Sequence, residues 1–156
     1  MSFIIQPLTE DKGQACRVIL DALPEWFGLE DAKDRYVLGV EETTFLVCQN
    51  ETSSETVGFL SLKEQTEAAS ETYVMGLRPE FHHQGLGKSL VGEAEKRAQE
   101  SGKAFLSVKT LAPEHPDPHY AMTRKFYEAL GFKPVEVFLT LWGKIGPRRT
   151  AHRRRR

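Results

Sequence analysis

Pro79-Glu80-Phe81-His82-His83-Gln84-Gly85-Leu86-Gly87-Lys88-Ser89-Leu90 sets two glycines two residues apart, directly after an apolar run and directly before an amphipathic one. Upstream, Glu71 to Leu77 is rich in strand-forming residues and closes at Pro79. Gly76 inside that run points to a bulge or to the close approach of another backbone. Downstream, Leu86, Leu90, Val91, Ala94 and Ala98 repeat at helical spacing, with Glu93, Glu95, Lys96 and Arg97 on the wet side and Ser101-Gly102 as the stop. The strand Ala104 to Val108 follows. Strand, helix and strand in that order make a parallel unit.

Backbone amides at a helix start lack intrahelical partners, and the helix dipole adds partial positive charge there. A diphosphate can touch several such amides only where side chains are absent, which Gly85 and Gly87 provide; Lys88 and Ser89 add a charge and a hydroxyl. On spacing alone Gly-Leu-Gly is equally a tight strand-to-helix turn. Two other phosphate motifs fail at named positions. A Walker loop ending at Gly87-Lys88-Ser89 needs glycine where His82 stands, and the dinucleotide fingerprint needs glycine where Leu90 stands.

The earlier part of the chain reads as antiparallel. Phe3-Ile4-Ile5 is a short strand, and Asp11 is placed to cap a helix carrying Ala15, Val18, Ile19, Ala22 and Leu23 that stops before Pro24. A shorter helix spans Asp31 to Val40. Thr44 to Cys48 and Thr56 to Leu62 are strands joined by a polar turn, which predicts a hairpin. Beyond the parallel unit, a proline-rich loop leads to a helix from Tyr120 to Leu130, closed by Gly131. A last strand spans Val135 to Trp142.

At 156 residues, with 40% hydrophobic and 28% charged residues, the chain has the size and composition of one soluble domain. Neither a signal peptide nor a membrane span is read from it, so a cytoplasmic location without membrane partners is expected. Cys16 and Cys48 are not spaced as a redox or metal pair and read as small buried thiols. Of the 21 basic residues, seven crowd the last thirteen positions; the remaining 14 face 22 acidic residues, leaving −8 on the rest. That body has no preference for nucleic acid and mildly favours a basic partner. His115, Asp117 and His119 suggest a metal, but a loop held by Pro113, Pro116 and Pro118 positions them without one, so no metal is expected.

Leu77-Arg78-Pro79 followed by His82-His83-Gln84-Gly85-Leu86-Gly87 and an amphipathic helix resembles the acetyl-CoA-binding segment of the GNAT (Gcn5-related) N-acetyltransferases, Gln/Arg-x-x-Gly-x-Gly/Ala. Phe126-Tyr127-Glu128-Ala129-Leu130-Gly131-Phe132 is similar to the Phe/Leu-Tyr-x-x-x-Gly-Phe of the family's later helix, and the element order matches over residues 3 to 142. The resemblance implies an α/β (α+β) fold: a mixed, mostly antiparallel sheet with a central splayed parallel pair and flanking helices. It implies acetyl-CoA as acyl donor, entering the gap between the parallel strands. Leu77, Arg78, His82, His83, Gln84, Gly85, Leu86, Gly87, Lys88, Ser89 and Tyr120 are its implied contacts, with the Leu77 amide on the thioester carbonyl. Two positions depart from the family: His82 stands where Gln or Arg is usual, and Tyr120 where many members have Asn.

The resemblance places Tyr127 at the position of the general acid that protonates the leaving thiolate, for which a phenol is well matched. For the base, Glu71, Glu25, Asp117 and His119 remain open. Glu25, Trp26 and Phe27 lie where the family has its acceptor wall. The expected reaction is transfer of acetyl to a primary amine of a small molecule or peptide by direct attack in a ternary complex. The alternative is a catalytically silent acyl-CoA sensor. Residues 1–142 make the expected domain. Residues 143–156 lack apolar alternation and read as a basic, disordered tail, whose one nucleic-acid role would be non-specific. The family's terminal strand is therefore expected to be missing, and the edge so exposed predicts a homodimer.

Overall fold

A computed structural model describes residues 2–111, 117–138 and 148–154. The chain runs β1 (Phe3–Leu8), α1 (Lys12–Asp21), α2 (Glu30–Gly39), a 3-10 turn (Val40–Glu42), β2 (Thr44–Asn50), β3 (Thr56–Glu64), β4 (Ala69–Leu77) and a second 3-10 turn (Pro79–Phe81). It continues with α3 (Leu86–Glu100), β5 (Phe105–Leu111), α4 (Pro118–Ala129), β6 (Lys133–Phe138) and β7 (Arg148–Arg154). The seven strands among the described residues form one sheet in the order β1-β2-β3-β4-β5-β7-β6. Among the described strands only β4 and β5 pair in parallel. The mixed, mostly antiparallel sheet with one central parallel pair is as expected, and β2 and β3 form the expected hairpin.

Alternation along β2 sends Leu46 and Cys48 to one face and Phe45 and Val47 to the other, so two cores form. On one face Leu90, Val91 and Ala94 of α3 and Tyr127 and Phe132 pack against Leu46, Leu60, Leu106 and Val108. On the other, Cys16, Ile19 and Leu20 of α1 meet Phe45, Val47, Phe59 and Val74. Each such buried aliphatic contributes about 1.5–3 kcal/mol relative to exposure. Cys16 and Cys48 are free and buried, and burial pushes the Cys16 thiol up to about 12.

Three local expectations are corrected. Asp11 does not cap α1; it adopts a left-handed conformation (φ 57°), and Glu41 supplies the cap by accepting from the Gly13 N–H at 2.9 Å. The last helix starts earlier, at Pro118, because Asp117 Oδ1 accepts from the His119 N–H at 2.8 Å and proline fits a first helical turn. The expected strand Val135 to Trp142 is β6, starting at Lys133; residues 139–142 of it lie outside the described residues.

The place of the terminal strand is not empty. Arg148–Arg154 enters between β5 and β6, antiparallel to both, from Phe105↔Arg154 to Leu111↔Arg148 and from Lys133↔His152 to Phe138↔Arg148. A strand inserted between two others is held by backbone ladders on both edges, which its lack of apolar alternation does not prevent. The edge of β5 is thereby covered, so the missing strand from which a homodimer is expected is present within the chain itself.

Candidate active site

The site begins with one surplus residue. Ser61 pairs with Val74 and Leu62 with Thr72, so β4 advances two residues while β3 advances one, leaving Tyr73 as a bulge. The β4–β5 ladder runs from Ala69↔Phe105 to Thr72↔Val108 and ends beside that bulge. Beyond it the two strands part. The Arg78 N–H bonds Val57 O on β3 at 2.8 Å, so alternation turns the N–H and C=O of Leu77 to the other edge, into the gap. Gly76 is explained by close approach: a Cβ there would stand 3.0 Å from both Ile19 of α1 and Leu23 just beyond it.

At the far end of β4 the two glycines have different reasons. Gly85 has φ 82°, which disfavours any other residue, and its absent Cβ would meet nothing within 4 Å. That space lies at the start of α3, whose first turn has neither a side-chain cap nor an acidic residue. The early amides of this fifteen-residue helix are therefore open to an anion, as a diphosphate requires. Gly87 answers to packing instead: a Cβ there would sit 3.1 Å from Cζ of Phe126 on α4. His83, also left-handed at φ 61°, completes the turn.

Side chains around this loop are engaged with the protein itself. Arg78 forms ion pairs with Glu55 and, at 3.0 Å, with Glu80. Gln84 donates to Glu80 O at 3.2 Å, and Ser89 to Gly85 O at 3.1 Å. Lys88 is exposed. His82 Nε2 donates to Leu77 O at 2.6 Å, so its ring faces the gap-side carbonyl.

The His82 ring also packs edge-on against Trp26, with centroids 5.8 Å apart, and His119 does the same from α4 at 4.9 Å. The Trp26 indole N–H donates to His119 O at 3.2 Å and Thr123 Oγ1 at 3.1 Å, and the Tyr120 hydroxyl donates to Trp26 O at 2.7 Å. Trp26 thus joins the α1–α2 connection, the turn after β4 and the start of α4. Edge-to-face contacts continue the aromatic wall from Phe27 to Tyr36 and from Tyr36 to Tyr73. Tyr36 and Tyr73 carried no signal in the sequence beyond being aromatic.

Register assigns the ionisable groups to faces. Leu62, Leu106 and Val108 belong to the α3–α4 core, so Glu71 and Lys109 face the other side, where they form an ion pair. Glu71 is only 6% exposed. Tyr127 lies on the α3–α4 side between Phe126 and Phe132; burial, and secondarily Tyr120, push its phenol well above the usual tyrosine value. Thr72 and Thr110 each hold a buried hydroxyl without a hydrogen-bond partner, another pair that the sequence did not flag. Glu25 is exposed, and Asp117 is occupied as the α4 cap. Of the suspected metal group, His115 lies outside the described residues, and no cluster of three or more His, Cys, Asp or Glu side chains suited to a metal occurs among the described ones. No helix among them is long and apolar enough to cross a membrane.

A sheet parted by a bulge beside an uncapped helix N-terminus defines a class, and the comparisons agree on it. Residues 41–134 match the family model described as "Acetyltransferase (GNAT) domain", and the chain belongs to that family of acetyltransferases. Among solved structures it is similar to a GNAT-family protein from Desulfovibrio desulfuricans, with 16% identity over 98% of this chain and 99% of that one, at a TM-score of 0.81. It is similar to a GNAT-family acetyltransferase from Elizabethkingia anophelis solved with acetyl-CoA bound (14% identity, 98% of each chain, TM-score 0.74). A third is the PaiA N-acetyltransferase of Thermoplasma acidophilum in complex with coenzyme A (20% identity, 99% and 100% covered, TM-score 0.72). No curated protein sequence matches.

Proposed function

We propose that the protein transfers the acetyl group of acetyl-CoA to a primary amine by direct attack within a ternary complex. The observation that carries this reading is the gap opened by the Tyr73 bulge, with the Leu77 N–H turned into it and the open amides of α3 at its mouth. In this reading the amides of His83 to Lys88 hold the donor's diphosphate, and Gly85 leaves room for it. The Leu77 N–H supports the charge that grows on the thioester oxygen as the amine attacks. Tyr127, kept protonated by burial, supplies the proton for the leaving thiolate.

Glu71 is the base best supported, because it is buried on the face opposite Tyr127 at the end of the ladder. Nucleophile and leaving group then meet separate proton carriers. Trp26, Phe27, Tyr36 and Tyr73 form the acceptor wall, which suits an amine attached to an apolar or aromatic body. Calorimetric titration with acetyl-CoA, followed by a thiol-release assay over a panel of small and peptide amines, tests the reading. Binding with amine-dependent release is expected; binding without release for any amine would leave only a sensor.

A further inference from the structure

Lys109 is the first residue of β5 past the last β4–β5 pair, Thr72↔Val108, and so stands where the gap opens. Its ammonium is paired with the carboxylate of Glu71, and both lie on the face of the sheet away from Tyr127. An amine, a buried carboxylate and the opening of the acyl-donor gap are thus contributed by adjacent strands. The two lysines nearest to this pair along β3 to β5 are committed elsewhere. Lys103 is held at the β3–β4 turn by Glu64 and by the carbonyls of Thr66 and Glu67, and Lys63 lies over the Tyr73 ring at 5.0 Å.

We propose that Lys109 is an internal acceptor, acylated on Nζ by the protein's own thioester donor. The inference rests on the reading of the gap as the donor site. Glu71 takes one proton from the Lys109 ammonium, and the freed amine forms a bond to the thioester carbonyl carbon. The carbon–sulfur bond breaks, and the thiolate leaves with a proton from the Tyr127 hydroxyl; a second proton lost from the amide nitrogen returns Tyr127 to its neutral form through solvent. The products are Nε-acetyl-Lys109, coenzyme A as free thiol, and one proton released when Glu71 is restored. Because acetylation removes the lysine charge, Glu71 loses its partner and becomes available to the ammonium of an external acceptor. Self-acylation in this way prepares the site for turnover.

The test is incubation of the purified full chain with radiolabelled acetyl-CoA and no amine, followed by peptide mapping. The expected result is label concentrated on Lys109, about tenfold or more above exposed lysines such as Lys88, and lost when the chain is unfolded in urea before labelling. Glu71→Gln is expected to slow labelling by about 100-fold, the usual scale for losing a general base. Lys109→Arg is expected to abolish the label while acetyl-CoA binding, followed by calorimetry, persists. Label spread evenly over exposed lysines, or none on Lys109 although acetyl-CoA binds, overturns the proposal and leaves the proposed function standing. Absence of acetyl-CoA binding to the wild-type chain overturns both.

Discussion

The Tyr120 hydroxyl and the Trp26 main chain are joined by a 2.7 Å hydrogen bond, and the Trp26 indole N–H reaches back into the first turn of α4. This exchange fixes the α1–α2 connection against α4. Tyr120→Phe keeps the ring and removes one bond, so urea unfolding is expected to show a loss of about 1 kcal/mol. Acceptor KM is expected to rise while donor affinity holds. An equal fall in donor affinity would instead support the donor-contact role that the family resemblance implies for Tyr120.

His82 occupies a carbonyl that faces the gap. His82→Phe keeps the edge-on packing against Trp26 and releases Leu77 O to accept from an incoming donor. Tighter acetyl-CoA binding is expected by calorimetry; weaker binding would mean that the imidazole itself holds the donor.

The two glycines separate experimentally. Gly87→Ala sets a methyl against Phe126, which is expected to cost about 1–3 kcal/mol and to be relieved by adding Phe126→Leu. Gly85→Ala has open space but a positive φ, expected to cost about 1–2 kcal/mol with no relief from the same second change. Thermal unfolding of the two single and two double variants checks both.

Tyr127 is neutral in the folded chain to a higher pH than its ordinary value of 10.0. Because its folded pKa is raised, the stability this contributes is full below the unfolded pKa, declines as pH rises beyond it, and is lost once pH has risen through the folded one. Accordingly, kcat is expected to show no alkaline decline from this phenol below its ordinary pKa. Tyr127→Phe is expected to lower kcat by about 100-fold, on the scale of a lost general acid, with acetyl-CoA affinity retained.

Thr72 and Thr110 carry buried hydroxyls that no partner repays. Thr72→Val and Thr110→Val remove them at nearly constant shape, so each is expected to raise the stability read from urea unfolding by about 1 kcal/mol. A loss instead would show that the hydroxyl is hydrogen-bonded in solution.

Much of this was written in local pattern. Helical spacing from Leu86 to Ala98, the β2–β3 hairpin and the glycine turn all follow from periodicity and turn chemistry, and structure bears them out. Gly87 was legible as a necessity but not as to its cause, since Phe126 is thirty-nine positions away and only tertiary packing unites them. The pairing of Glu71 with Lys109 was hidden for a related reason: it depends on strand register, and the bulge at Tyr73 shifts the faces of β4 without leaving a signal in hydrophobicity. The cap on α1 shows the same limit, because Glu41 reaches it from the 3-10 turn after α2 rather than from the preceding residue.

Strand β7 has a consequence in time as well as in space. Because it lies between β5 and β6, β6 has no neighbour among the described strands until residues 148–154 have left the ribosome. The half of the molecule built from β1 to β5, with the bulge and the glycine turn already in it, can therefore order during synthesis, while α4 and β6 wait for the last strand to close the sheet over them. The Tyr127 side of the site is thus completed after the side that carries the bulge and the glycine turn.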